Sequence, residues 1–156
     1  MPLGVTACTR EVYNAFLSDD RTKALFHGHS YTANATACAA AIASMEFLLK
    51  QECQYQIFMI SEMNKKFADK IKNHASVTDV RTMATILAIE LKTEAGTSYF
   101  SNLRDYLYNF FMTRKILMRP LGNIIYIIPP YCTTSDQLHT TYTAIEELLK
   151  TLNKNE

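Results

Sequence analysis

Apolar residues recur along much of this chain at the spacing of a helix turn. From about Glu52 to Asn73, Ile57, Ile60, Met63, Phe67 and Ile71 follow one another at intervals of three and four, while Lys65, Lys66, Lys70 and Lys72 fall on the other side. That period matches 3.6 residues per turn and predicts an amphipathic helix with one face on a core. A second such helix is predicted from Ser101 to about Lys115, with Leu103, Leu107, Phe110 and Phe111 as its inner stripe. A third follows Thr134 or Ser135, either of which can cap it, and carries Leu138, Tyr142, Ile145, Leu148 and Leu149 inward. The last residues, Asn153 to Glu156, are expected to fray. Ala35 to about Lys50 is helix-forming, and its first half, Ala37 to Ala43, is apolar on every side, which predicts burial all round.

Other stretches have the β-branched content of strands. Pro2 to Cys8 reads as a short strand, after which Thr9 can cap a short helix reaching about Phe16. Val77 to Thr82 and Met83 to Leu91 form two more runs, the second with Ile86, Ala88 and Glu90 on one side. Ile116 to Arg119 and Ile124 to Ile128 flank Pro120-Leu121-Gly122-Asn123, whose proline and glycine suit a reversal, so a hairpin is expected there, ended by Pro129-Pro130. After Glu52 the predicted order is helix, strand, strand, helix, strand, strand, helix. This is an α+β fold with helices covering a largely antiparallel sheet.

The chain has 156 residues, 48% of them hydrophobic, enough for one sizeable core. Its formal net charge is +1 and its basic and acidic residues alternate, so no nucleic-acid surface is indicated. Tyr31 to Met45, an apolar stretch without a basic or acidic residue, falls short of a membrane span. The first residues lack a basic region followed by an apolar one, so a cytoplasmic location is the default expectation. Cys8, Cys38, Cys53 and Cys132 form no C-x-x-C pair, which argues against a zinc ribbon or redox motif.

Two segments carry a resemblance. Leu25-Phe26-His27-Gly28-His29-Ser30-Tyr31-Thr32-Ala33-Asn34-Ala35-Thr36-Ala37-Cys38-Ala39-Ala40-Ala41 resembles the H-G-x-[ST]-[FY]-x-x-N-x-x-[AG]-C-A-A-A stretch of the class III aminotransferases. Met118-Arg119-Pro120-Leu121-Gly122-Asn123-Ile124-Ile125-Tyr126-Ile127-Ile128-Pro129-Pro130-Tyr131 is similar to the R-P-[LF]-G-x-x-[IV]-Y-x-x-P-P-Y segment of that family's diaminopelargonate branch. Val80-Arg81-Thr82-Met83 is similar to a V-R-x-L-G stretch between them. The likeness spans essentially the whole chain. It departs at Ala33 and Ala35, where glycine and proline are common, and at Ala84 and Leu87, where the strand usually has glycines.

The resemblance implies the C-terminal part of a fold type I transferase that uses pyridoxal 5'-phosphate. Residues 1–35 would then finish the large cofactor domain, residues 36–51 would be a connecting helix, and residues 52–156 the small domain. The implied reaction moves an amino group from S-adenosylmethionine to 8-amino-7-oxononanoate in biotin biosynthesis. A homodimer is implied too, with the loop at Gly28, His29 and Ser30 serving the neighbouring subunit's site. By the same likeness His29 and Ser30 contact the cofactor phosphate, and Gly28 lies against the substrate, where a side chain would obstruct it. A hydroxyl on a loop that opens a helix suits a phosphate physically. Read without the family, the same loop is an ordinary surface loop. A metal site at His27 and His29 would lack a third ligand at sensible spacing.

Arg119 precedes a proline, which biases it towards an extended backbone, and a guanidinium so held pairs with a carboxylate in two-pronged fashion. In the family the matching arginine binds the substrate carboxylate; without it, Arg119 reads as a solvent-facing residue at a strand end. Tyr126 could line the same pocket, or simply pack into the core. Arg81 is expected in an ion pair and Asn34 in a turn or cap. The family's catalytic lysine belongs to a segment upstream of the one matching Pro2 to Thr6, so no catalytic residue is expected in this chain and the chain alone should be inactive. The alternatives are a related class III transaminase acting on an ω-amino acid or diamine, and a non-catalytic α+β interaction module; within the diaminopelargonate branch the amino donor is S-adenosylmethionine or lysine.

Overall fold

Capping side chains set the helix boundaries in the first part of the chain. The computed structural model describes residues 2–93 and 103–153 and divides into two units, one ending at Lys50 and one starting at Gln51. In the first unit Thr9 accepts the Val12 N–H at 3.3 Å and opens α1, Arg10–Ala15, as expected. Asp20 accepts both the N–H (3.0 Å) and the hydroxyl (2.7 Å) of Thr22 at a 3-10 turn, Arg21–Lys23, and these bonds hold its carboxyl below the usual pKa. Asn34 caps α2, Ala35–Leu48, by accepting the Ala37 N–H at 2.9 Å, the local role expected of it.

Two expectations fail in this unit. Pro2 to Cys8 forms no strand among the described residues, because a strand exists only beside a partner and none is described for it. In α2 only Ala37 is buried, while Ile42, Met45 and Phe47 are exposed. An apolar run can be buried only if other surface covers it, and a segment this short supplies too little.

The second unit has a true core. Helix α3, Gln51–Ile71, turns Ile60, Phe67 and Ile71 inward and leaves Lys65, Lys66, Lys70 and Lys72 in solvent, as the spacing predicted. Strands β1, Val77–Met83, and β2, Ile86–Leu91, pair antiparallel. Helix α4, Leu103–Met112, buries Leu107 and Phe111; the Ser101–Asn102 start expected for it lies outside the described residues. Strand β3, Ile124–Ile127, pairs antiparallel with β2, giving the sheet order β1-β2-β3. Helix α5, Ser135–Leu152, begins in a capping box in which Thr134 and Gln137 satisfy each other's backbone N–H groups. Of the tail expected to fray, residues 154–156 lie outside the described residues.

One face of the sheet, with Leu87, Ile89, Leu91, Ile125 and Ile127, meets the buried faces of the three helices in a single cluster. Each such side chain contributes roughly 1.5–3 kcal/mol on burial. The other face carries Ala88, Glu90 and Tyr126, and Arg81 there bridges Asp79 (2.8 Å) and Glu90 (3.3 Å). The arrangement is the expected α+β fold with an antiparallel sheet.

The predicted hairpin before β3 is corrected. Leu121 and Ile124 exchange backbone hydrogen bonds at 2.9 Å each, but Ile116 to Arg119 forms no strand. Instead α4 closes with Lys115 in a left-handed conformation (φ 60°), its N–H bonded to Met112 O and the Ile116 N–H to Phe111 O. The chain then descends to bury Met118 and Pro120, so side-chain burial and not a ladder holds this segment.

Asn64 lies completely inside the core, on the apolar side of α3. Its Nδ2 donates to Thr85 O at 2.9 Å, and its Oδ1 accepts the Tyr142 hydroxyl at 2.7 Å. Tyr142 stacks on Phe67 with centroids 4.2 Å apart. Three elements, α3, the β1–β2 turn and α5, thus meet at one polar node.

Burial pushes the Tyr142 phenol up from 10.0 to about 12. Below the unfolded value both states keep the proton, so the bond contributes in full. Between that value and about 12 only the unfolded chain ionises. Stability should therefore fall with rising pH by roughly 1.4 kcal/mol per unit, about 2–3 kcal/mol across the window. Tyr142→Phe should lack this component, which urea midpoints of both proteins at neutral pH and inside the window will reveal; parallel losses would refute the assignment. The β1–β2 loop yields a second expectation. Ala84 there has φ 48°, a left-handed conformation that costs a residue with a Cβ. Ala84→Gly should stabilise the second unit by about 1 kcal/mol, seen as a rise of several degrees in Tm.

Candidate functional site

The loop leading into α2 is closed by its own side chains. The His29 N–H donates to Thr32 Oγ1 at 2.9 Å, and the Thr32 N–H returns to His29 O at 2.9 Å. The Tyr31 N–H donates to His29 Nδ1 at 3.1 Å. An imidazole nitrogen that accepts carries no proton, so neutral His29 bears its hydrogen on Nε2, which remains as an outward donor. The loop reaches Asn34 through Ala33 at φ 55°, a conformation glycine adopts without strain; this explains why glycine is common there.

A cavity of about 840 Å³ lies beside this loop, with Pro2, Leu3, Gly4 and Thr6 on one wall and His27, His29 and Tyr31 on another. Among the described residues no acidic side chain lines it, so none there repels an anion. Gly28 and Ser30 lie on the same exposed loop outside the cavity lining, and among the described residues the Ser30 hydroxyl has no hydrogen-bond partner. Among the described residues a Cβ built on Gly28 would meet only Thr32 Oγ1, at 3.8 Å, so these atoms leave room for a side chain there. His27 and His29 acquire no third ligand: among the described residues no group of three or more His, Cys, Asp or Glu could hold a metal.

The second unit holds the remaining predicted residues. Arg119 is exposed between buried Met118 and Pro120, and among the described residues its guanidinium has no hydrogen-bond or ion-pair partner. Tyr126 is half-buried on β3, opposite Ala88, and lines a cleft of about 510 Å³ with Arg114, Lys115, Met118 and Thr141. It is therefore a cleft wall and not a core residue. Arg114 is committed there, since it stacks 3.6 Å over Phe110 and donates to Glu147 at 3.1 Å. Arg119 does not line this cleft.

Sequence reasoning passed over Asn123, which is buried in the turn after Arg119 and bonded to Leu91. The available signal was an asparagine after glycine in a reversal, where the hairpin reading drew only on the proline and the glycine. Among the described residues no helix is long and apolar enough to cross a membrane.

Comparison with known proteins shows the family. Residues 1–149 match the aminotransferase class-III family. The adenosylmethionine-8-amino-7-oxononanoate aminotransferase of Synechococcus elongatus is 37% identical over 149 residues, covering 96% of this chain and 34% of that protein. Its Methanocaldococcus jannaschii counterpart is 31% identical over 160 residues, covering 96% of this chain and 34% of that protein. The crystal structure of the latter superimposes with a TM-score of 0.74 at 32% identity, over 89% of this chain and 34% of that one. An aminotransferase from Vibrio fluvialis in its PMP-bound form shares the fold, with a TM-score of 0.72 at 17% identity over 85% of this chain and 30% of that one. The chain thus spans about a third of the length of these relatives. On the match across residues 1–149, the chain belongs to the class-III aminotransferase family.

Proposed function

We propose that this chain corresponds to the C-terminal third of an aminotransferase that moves an amino group from S-adenosylmethionine to 8-amino-7-oxononanoate, giving 7,8-diaminononanoate. The observation that carries the reading is Arg119, an exposed arginine without a partner among the described residues, held between two buried neighbours. A guanidinium so presented is set to receive a planar anion, and both implied substrates bear a carboxylate.

Pyridoxal 5'-phosphate is the cofactor of this reading. The loop fits its phosphate in donor chemistry: among the described residues Nε2–H of His29 and the Ser30 hydroxyl have no partner, and no described carboxylate lines the adjoining cavity. Bound there, the cofactor supplies the electron sink that amino transfer requires. His29 and Ser30 would hold the phosphate, Gly28 would leave space beside the substrate, Arg119 would bind its carboxylate and Tyr126 would contribute a wall. In this reading residues 1–35 complete a large domain, residues 36–51 connect, and residues 52–156 form the small domain of a cytoplasmic homodimer. The lysine that binds the cofactor lies elsewhere in the enzyme, so the chain alone is inactive.

A paired experiment in the complete enzyme tests the two anion sites. Arg119→Ala should lower kcat/KM with carboxylate substrates by about 30- to 1,000-fold, equivalent to roughly 2–4 kcal/mol, and Arg119→Lys should recover part of it. Cofactor affinity should survive both changes, whereas Ser30→Ala should weaken the cofactor and spare substrate discrimination. An Arg119→Ala enzyme with loosened cofactor and unchanged efficiency would defeat the assignment. Separately, borohydride treatment of the chain alone with pyridoxal phosphate should trap no stoichiometric adduct on a single lysine.

A further inference from the structure

Four residues separate Arg119 from β3, and one side chain fixes where they lie. Gly122 turns the chain at φ 61°, and Leu121 and Ile124 close the turn by exchanging hydrogen bonds. Asn123, 2% exposed, ties the turn to the sheet. Its Nδ2 donates to Leu91 O at 2.7 Å, and its own carbonyl accepts the Leu91 N–H at 3.0 Å. The regular β2–β3 ladder ends at Glu90 opposite Ile124. Asn123 extends the pairing by one rung, using its side chain where the backbone has turned away.

This attachment carries a cost. Asn123 Oδ1 is buried and has no hydrogen-bond partner among the described residues. A buried acceptor left without a donor is destabilising, so packing alone would favour an apolar residue. Turn formation does not require the burial either, because asparagine serves reversals from solvent. What the amide gains is a fixed distance between the end of β2 and the turn. Pro120, buried and with φ locked by its ring, passes that placement on to Arg119.

We infer that Asn123 is a positioning residue, whose bond to Leu91 sets where the Arg119 guanidinium meets a substrate carboxylate. The inference rests on the proposed role of Arg119. A two-pronged contact needs both nitrogens in place, and a displacement of about 1 Å is enough to cost up to roughly a hundredfold in rate.

The test uses the complete enzyme and Asn123→Asp, which keeps the shape and removes the donor. KM for 8-amino-7-oxononanoate should rise at least about tenfold. KM for a carboxylate-free amino ketone acceptor, and cofactor affinity, should stay as they were. The Arg119→Ala/Asn123→Asp double variant should be no worse than Arg119→Ala alone, because Asn123 acts through Arg119. Equal losses with both acceptors, or additive losses in the double variant, would overturn the inference and leave Asn123 a structural residue. Should Asn123→Asp fail to fold, Asn123→Ser, whose hydroxyl is too short to span the gap, enters the same comparison. Amide exchange at Leu121 and Ile124 in the chain alone reads the turn without activity: it should quicken in either variant, and unchanged exchange would count against the clamp. If Arg119→Ala itself leaves KM for the carboxylate acceptor unchanged, the role of Arg119 fails and the inference falls with it. If Arg119→Ala raises that KM and Asn123→Asp does not, only the inference fails.

Discussion

The second unit is organised around a polar group that has no route to water. Asn64 is fully buried in α3 and must place both ends of its amide, and it does so by donating to the Thr85 carbonyl and accepting from Tyr142. Apolar contacts between helices and a sheet tolerate sliding, since dispersion has little directional preference. Two buried hydrogen bonds do not, because breaking either strands a polar group in the core. The node therefore fixes the relative placement of α3, the β1–β2 turn and α5 more sharply than the surrounding leucines and isoleucines do. With these in place, β2 has a defined position, β3 pairs against it, and Asn123 reaches Leu91 at its end.

Polar residues thus determine the geometry while apolar ones supply most of the driving force. The two proposed anion sites follow the same division. At Arg119, burial of Met118 and Pro120 on either side holds the backbone while the charged side chain stays outside. At His29, hydrogen bonds within the loop occupy Nδ1 and leave Nε2 turned outward. In each case local chemistry uses up the groups that face inward and leaves a donor presented.

Much of this was legible in the sequence, for physical reasons that can be named. The three-and-four spacing in α3, α4 and α5 marks faces that must be buried, and all three helices formed where that spacing lay. Thr9, Asn34 and Thr134 sit where a cap is needed and each accepts the expected N–H. Less legible was anything that depends on a partner. Pro2 to Cys8 has strand composition but no described neighbour, and α2 has an apolar surface that its own unit cannot cover. Ile116 to Arg119 has strand composition too, yet it forms no ladder and only Met118 within it is buried. Asn64 escaped notice because its type suggests solvent; its position between Ile60 and Phe67 on the buried stripe was the contrary signal. The family likeness singled out the loop and Arg119 as candidates, which spacing alone would have left as surface residues.

The β1–β2 loop has a further consequence, one of timing. A two-residue reversal that begins with a left-handed alanine has little tendency to form by itself, since alanine does not favour that backbone. What holds it is the Asn64 amide on the Thr85 carbonyl, a contact between residues 21 apart in the chain. The turn is therefore supported from outside the hairpin, and its strained backbone is best offset once α3 packs against it. On topology alone, a contact that closes a loop of this length before local pairing is rewarded is expected to slow assembly of the unit.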